Sequence, residues 1–139
     1  MAYVRSKGAN KRGGTYYYLV SCVREGRKVR QRTLAYLGEY PTLDAALQGI
    51  PDEVARLQAF AVKHAQAAED KKREYEQYGW LDRFGGELPR PGTHGSANFR
   101  RVCSKYWELR RWAASYEGRA NELTTRLARL QELRASGVA

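Results

Sequence analysis

The sequence predicts an α+β fold, in which an N-terminal three-stranded antiparallel sheet is followed by a long antiparallel helical hairpin of coiled-coil character. Two observations lead to this prediction. The first 40 residues are dense in β-branched and aromatic side chains and are punctuated by glycine. The remainder of the 139-residue chain has apolar side chains at helical spacing, interrupted by one Gly- and Pro-rich stretch.

Three segments of the first 40 residues are predicted strands. Residues 3–6 form a short candidate, and a basic, Gly-rich loop over residues 7–14 follows it. Residues 15–23 read Thr-Tyr-Tyr-Tyr-Leu-Val-Ser-Cys-Val, a composition that is typical of strands. Residues 27–37 alternate Val, Gln and Thr with Arg, which predicts a third strand.

The turn between the second and third strands decides the register. A type I turn with Gly26 as a left-handed bulge is favoured over a two-residue turn, because Glu-Gly is a poor type I′ pair. The two turns differ by a one-residue slip, which exchanges the faces of the sheet. In either register Lys28, Arg30 and Arg32 share one face, because they alternate along one strand.

Capping residues divide the rest of the chain. Thr42 is a candidate N-cap for a short connecting helix within residues 41–50, which is predicted to stop at Gly49. Pro51 is predicted to open a second helix. Residues 51–139 then form the helical hairpin, with residues 79–96 as its Gly- and Pro-rich loop.

The last helix has the most regular pattern. Its apolar residues alternate steps of three and four, and the helix is predicted to run about 55 Å over residues 98–134 at 1.5 Å per residue. Because it would exceed its partner helix by ~16 Å, its final turns lack cover within the chain. We therefore expect a homodimer or a larger protein complex to form through the leucines of this end, which are Leu123, Leu127, Leu130 and Leu133.

The charge distribution points to an anionic partner. The net charge is +10, and the first 40 residues alone carry nine Lys/Arg against two Asp/Glu. Two cysteines, the lack of an apolar signal segment and the lack of a membrane-spanning run predict a cytoplasmic protein, associated with the nucleoid if it binds DNA.

The basic β-hairpin is the predicted nucleic-acid-binding site. Five cations fall within nine residues, and Lys11 and Arg12 of the preceding loop are expected to assist at phosphates. The competing interpretation is a solvated sheet face whose charges prevent edge aggregation. The five are Arg24, Arg27, Lys28, Arg30 and Arg32. A second basic patch could extend this surface or simply form a solvated helix face, and it comprises Arg100, Arg101, Lys105, Arg110 and Arg111.

Catalytic and metal motifs are not found. Cys22, Cys103, His64 and His94 lack the spacing of metal ligands, and His64 is interpreted as a packed side chain. The glycines lack the Lys-Ser/Thr of a phosphate-binding loop, and no nucleophile signature is present. We therefore predict a non-enzymatic protein without cofactors or metals.

The string YYYLV…VREGRKVRQRTLAYLG, from Tyr16 to Gly38, resembles the N-terminal β-module of DDE-type insertion-sequence transposases and of related short bacterial proteins. Together with Tyr3-Val-Arg it covers about a quarter of the chain. It is also loosely similar to the three-stranded arm-binding domains of tyrosine recombinases. The resemblance implies DNA recognition by the sheet. A transposase would continue into an RNase H-like domain with three metal-binding acids, so we expect no transposase activity from these residues.

The function predicted from the sequence is therefore binding of DNA, or of structured RNA, by the basic hairpin, with the helical part available for oligomerisation or a partner. The alternative is a coiled-coil adaptor, or an accessory subunit of a larger mobile-element or defence complex. The sequence does not distinguish DNA from RNA.

Overall fold

The computed structural model describes residues 2–8, 14–76, 88–90 and 96–137. It contains strands β1 (Ala2–Lys7), β2 (Tyr16–Glu25) and β3 (Lys28–Gly38), followed by helices α1 (Leu43–Glu76) and α2 (Ala97–Ala135). The strands form an antiparallel sheet in the order β1-β2-β3. The α+β prediction is confirmed. Most of the predicted loop over residues 79–96 lies outside the described residues.

The chain divides into two compact units. One comprises Met1–Ala55 together with Asn121–Ala139, and the other comprises Arg56–Ala120. We call them the sheet unit and the helical unit. The ends of the chain thus belong to the same unit, so the last turns of α2 share a core with the sheet.

The leucines at the end of α2 are core residues of the sheet unit. Leu130 is 0% exposed, Leu133 is 5% and Leu123 is 8%, and Leu127 is half-buried. Buried residues from the sheet and from the start of α1 complete this unit, among them Leu19, Val20, Leu37, Leu43, Ala46 and Ile50. The prediction that these leucines lack cover within the chain is wrong, because the end of α2 forms one compact unit with the sheet and the start of α1.

Two polar contacts secure the end of α2 within the sheet unit. Arg134 forms a 2.8 Å ion pair with Asp44 in the first turn of α1. The guanidinium carbon of Arg126 lies 4.7 Å from the ring centroid of Tyr36 on β3. Burial of the Tyr36 ring raises the pKa of its hydroxyl, and Tyr16 adds to this while the charge of Arg126 opposes it.

Helix α1 is continuous from Leu43 to Glu76, with Pro51 inside it. Thr42 caps it as predicted, since Thr42 Oγ1 accepts a 3.0 Å hydrogen bond from the Ala45 amide. The predicted break at Gly49 is wrong. Buried apolar side chains lie on α1 both before and after Pro51. Their burial offsets the loss of the one backbone hydrogen bond that Pro51 cannot donate. These side chains are Leu43, Ala46, Ile50 and Leu57.

Gly49 makes room for an aromatic ring instead of ending a helix. A Cβ atom at this position would clash with the Tyr40 ring. The hydroxyl of Tyr40 donates a 2.9 Å hydrogen bond to the Glu53 carboxylate, one turn further along α1. The glycine therefore lets the segment that leaves β3 lie against the helix surface.

We predict that Gly49→Ala lowers the free energy of unfolding, although alanine in a helix interior is ordinarily better than glycine by about 1 kcal/mol. The steric clash and the loss of the Tyr40–Glu53 bond outweigh the gain in helix propensity. Gly118→Ala in α2 is the matched control, since no atom lies within 4 Å of the position that a Cβ would take there, and it should stabilise by about 1 kcal/mol. Urea denaturation of both variants measures the difference. Stabilisation by Gly49→Ala would contradict this account.

The helical unit is an antiparallel pairing of α1 and α2. Phe60 and His64 pack on Tyr116, with ring centroids 5.5 and 5.2 Å apart, and Tyr75 packs on Phe99 at 5.7 Å. The His64 ring also contacts the Phe60 carbonyl, which confirms its interpretation as a packed side chain. The buried core of this unit comprises Ala68, Leu88, Phe99, Cys103 and Tyr106.

Candidate nucleic-acid interface

The outer part of the β2–β3 hairpin is a free-standing two-stranded ribbon. Strand β1 begins at Ala2, which pairs with Ser21, so among the described residues the hairpin has no third strand between that pair and its turn. Every residue from 22 to 33 is exposed. Pairing continues from Val20 opposite Thr33 to Glu25 opposite Lys28, a distance of roughly 17 Å at 3.4 Å per residue. We call residues 22–33 the ribbon.

The turn of the ribbon contains two residues, Gly26 and Arg27. Glu25 pairs directly with Lys28. Gly26 has a φ of 63°, whereas the described chain has no non-glycine residue with positive φ. Glycine with positive φ at the first central position is the requirement of a type II′ turn. The prediction of a type I turn with a bulge is wrong, because Gly26 takes the first central position of a two-residue turn and not the bulge position.

The register places three cations on one face of the ribbon, as predicted. Lys28 lies opposite Glu25, Arg30 opposite Val23, and Arg32 opposite Ser21. All three cations are exposed. We call Lys28, Arg30 and Arg32 the cationic face. Arg24 pairs with Val29 on the other face, and Arg27 lies in the turn.

Glu25 is the only carboxylate of the ribbon. Its Oε2 lies 3.7 Å from Arg30 Nε, and the two side chains are 63% and 69% exposed. Ion pairs at such exposure contribute little to stability, because water screens them and holding two side chains costs entropy. Arg30 can therefore exchange this carboxylate for another anion at low cost.

Gln31 braces the opposite face of the ribbon. Its Nε2 donates to the Tyr3 hydroxyl, and its Oε1 accepts from Arg5 Nη1. Cys22 Sγ lies 3.7 Å from the same hydroxyl, and this hydrogen bond is the largest cause of a raised Tyr3 pKa. Both ends of the Gln31 amide are therefore bonded to side chains of β1. Gln31 thus ties β3 to β1 across β2.

We predict that Gln31→Ala loosens the ribbon without unfolding the domain. Loss of the brace should increase hydrogen exchange of the amides of residues 28–32, while protection of β2 near Leu19 stays unchanged, because the brace contacts only exposed atoms. Hydrogen exchange followed by mass spectrometry or NMR measures this. Gln66→Ala, which removes an exposed hydrogen bond to Asp70 on α1, is the control. Equal exchange in the ribbons of the wild type and Gln31→Ala would refute the bracing role.

Two irregularities mark the base of the ribbon. The pairing shifts between Leu19 and Val20 and again between Tyr17 and Tyr18, so that β3 carries an extra residue at Leu34 and at Leu37. Bulges of this kind bend a strand and increase its twist. The bulges lie between the exposed ribbon and the part of the sheet that packs in the core, where Leu37 is 0% exposed.

The remaining predicted site residues are not gathered into one surface. Lys11 and Arg12 lie outside the described residues. The second basic patch is exposed throughout, but Lys105 pairs with Glu108 at 3.6 Å. Arg110 packs on Tyr106 and Trp107. The structure brings Arg110 and Arg111 together with Arg90, which the sequence pattern did not indicate because Arg90 precedes α2 and follows no helical spacing.

The described part of the chain was also searched for metal sites and membrane-spanning helices. No group of three His, Cys, Asp or Glu residues there could hold a metal ion. None of the helices described is long and apolar enough to cross a membrane. Cys22 is an exposed free thiol, and burial raises the pKa of the Cys103 thiol.

The sheet and α1 match a known protein family. A family model described as the IS1634 family transposase, N-terminal domain, matches residues 2–77, which is more than half of the chain. The chain belongs to this family. The match confirms the resemblance to insertion-sequence transposases and extends it from the sheet through all of α1. No curated protein matches the chain, and neither does any solved structure.

The IS1634-type N-terminal domain therefore includes the ribbon, its brace and the bulged base. The match ends one residue after α1, so α2 lies outside it. The last turns of α2 nevertheless supply buried residues to the sheet unit. In this chain the transposase domain is completed by a helix that the family match does not include.

Proposed function

We propose that the chain is a DNA-binding module related to transposition, and that it binds duplex DNA by placing the ribbon in the major groove. The observation that supports this proposal most is that residues 22–33 are exposed on both faces of the ribbon. Lys28, Arg30 and Arg32 lie together on one of these faces. Two-stranded ribbons fit the roughly 12 Å wide major groove of B-DNA. Membership of the transposase family supports DNA as the partner.

The residues of the ribbon suggest a division of roles. Arg30 and Arg32 have planar forks that can bond the O6 and N7 atoms of guanine, and Lys28 is suited to a phosphate as a point charge. Arg24 and Arg27, on the other face and in the turn, are placed for flanking phosphates. Val29 is 64% exposed, and such a side chain could contact a thymine methyl group.

The proposal assigns binding and no chemistry to the chain. The family match is to an N-terminal domain, and the role proposed for the cations of the ribbon is contact with DNA. Its affinity should depend on salt, because each phosphate neutralised by Lys or Arg releases condensed counterions.

The test is fluorescence anisotropy of the full chain with labelled duplex DNA, duplex RNA and single-stranded DNA over a range of salt concentrations. If three to five cations contact phosphate, the logarithm of the association constant should fall with a slope of about −3 to −5 for B-DNA. Duplex RNA should bind more weakly, since its major groove is deep and narrow. A slope near zero, or a preference for duplex RNA, would contradict the proposal.

A second candidate function, an accessory subunit that contacts another protein, is favoured by exposed apolar side chains on the helical unit. Val62 is 69% exposed, Trp112 is 49% and Phe60 is 39%. Capture from nuclease-treated lysate with wild-type and Trp112→Ala baits tests this function. A protein retained by the wild type alone would support it, and identical captures would exclude Trp112 from such a contact.

A further inference from the structure

The cationic face of the ribbon carries a carboxylate beside its three cations. Glu25 pairs directly with Lys28, and directly paired residues of antiparallel strands project to the same side of the sheet. Glu25 therefore lies on the same face as Arg30. It is the only acidic residue among residues 22–33. A surface that bound phosphates alone would gain nothing from a negative charge at this position.

Glu25 and Arg30 form a pair that presents donors and an acceptor side by side. Glu25 Oε2 lies 3.7 Å from Arg30 Nε, and both side chains are largely exposed. Because the contact is made at Nε, the end of the guanidinium group keeps its Nη1 and Nη2 donors for a second partner. The carboxylate likewise keeps lone pairs that can accept a further hydrogen bond.

Arg32 lies on the same face and differs from Arg30 in its surroundings. Its direct partner across the ribbon is Ser21, and among the described residues only Arg30 lies within ion-pair distance of Glu25. The two arginines are separated by two residues of a strand, which is about 7 Å, so they reach different base pairs. The carboxylate thus acts on one of the two positions and not on the other.

The major-groove edge of a G·C base pair is complementary to the Arg30–Glu25 pair. Guanine offers two acceptors, O6 and N7, which the fork of an arginine bonds together, and cytosine offers a donor, the N4 amino group, to a carboxylate. Adenine has a single acceptor on this edge, so the fork finds no pair of acceptors there. A phosphate group offers acceptors only, and its charge is repelled by that of Glu25.

We propose that Arg30 and Glu25 together read one G·C base pair of the DNA target, and that Glu25 determines this specificity. The inference rests on the proposed DNA binding and names the base pair that the same site selects. Arg30 donates to guanine O6 and N7 through its two Nη groups, while Glu25 accepts from cytosine N4. Glu25 weakens binding to every duplex by repelling phosphates, and it does so least where the cytosine amino group compensates its charge. A group that penalises the wrong partner adds to specificity as much as one that favours the right partner.

The test removes a chemical group from each side of the contact between Glu25 and cytosine. The full chain first selects its preferred duplex from a random library. Pyrimidin-2-one then replaces each cytosine of that duplex in turn, which removes the N4 amino group and leaves guanine O6 and N7 in place. The wild type should bind one of these duplexes at least about fivefold more weakly than the unsubstituted duplex, the lower end of what a specific base contact contributes. Glu25→Ala should bind both equally in fluorescence anisotropy.

Two further variants separate the base contact from the effect of charge. Glu25→Gln removes the charge and keeps an acceptor oxygen, so it should bind every duplex more tightly and retain part of the preference for cytosine. Glu122→Gln removes the same charge from an exposed position of α2 and should behave as the wild type does. An unchanged preference in Glu25→Ala, or an equal loss of preference in Glu122→Gln, would overturn the inference.

A substitution on guanine tests whether Arg30 and Glu25 act on the same base pair. Replacing guanine with 7-deazaguanine removes the N7 acceptor, and at the base pair found with pyrimidin-2-one it should weaken binding of the wild type but not of Arg30→Ala. Effects on two different base pairs would show that the residues do not act together and would overturn the inference. If the wild type binds no duplex DNA, the proposed function fails. If it binds and no cytosine amino group matters, only the assignment of the base pair fails.

Discussion

Replacing Arg30 and Arg32 together with alanine should weaken binding to duplex DNA by about 1–3 kcal/mol for each base pair that they read, and this loss should appear on the preferred sequence. If they contact phosphates instead, two slopes of about 0.9 are lost, which weakens binding to every sequence by about 60-fold at 0.1 M salt. The two side chains are exposed and share the cationic face, so the helical circular dichroism signal should not change. Fluorescence anisotropy over a range of salt concentrations measures the effect.

Matched variants make this result specific. Arg73→Ala/Arg119→Ala removes two exposed charges from the helices and should leave the affinity within about twofold of the wild type, because charges off the interface are screened. Glu25→Gln should act in the opposite direction and raise the affinity, because it removes the carboxylate 3.7 Å from Arg30. An unchanged affinity in the Arg30/Arg32 variant, with normal folding, would exclude the cationic face as the contact surface.

The second large effect concerns Leu130, which is 0% exposed in the sheet unit. Leu130→Ala should lower the free energy of unfolding by about 2–5 kcal/mol, the cost of removing buried methyl groups and leaving a cavity. Leu127→Ala should cost less, because Leu127 is only half-buried. Urea denaturation followed by circular dichroism provides both values.

The same experiment distinguishes a core leucine from an oligomer contact. A leucine that packs within one chain destabilises the fold equally at low and high protein concentration. A leucine at a dimer seam would make the unfolding midpoint concentration-dependent. We expect the unfolding midpoint to stay the same between about 1 and 100 µM protein, a range in which a dimer of micromolar affinity would dissociate. If the unfolding midpoint of the wild type rises with protein concentration and that of Leu130→Ala does not, Leu130 lies at an oligomer contact and this account is wrong.

Local chemistry was enough to predict the three strands, the start of α1 and the course of α2. The β-branched and aromatic run around Leu19, the cap at Thr42 and the three-four spacing of α2 each depend on residues within a few positions of one another. The alternation of Lys28, Arg30 and Arg32 predicted a shared face in any register, because side chains on a strand point to alternate sides. Gly26 illustrates the limit, since one glycine can take positive φ either as a bulge or at the first position of a type II′ turn, and the local sequence does not fix which.

The sequence by itself determined the three strands, the helical character of the rest of the chain and the face on which the ribbon carries its cations, but it divided α1 wrongly at Gly49. Only the tertiary structure decided that Leu130 packs within its own chain, that Gly49 accommodates Tyr40, and that Gln31 is bonded to β1. It also brought Arg90 to Arg110 and Arg111. The physical reason is that periodicity records which side of an element is apolar, whereas the identity of the partner depends on contacts between residues far apart in the chain.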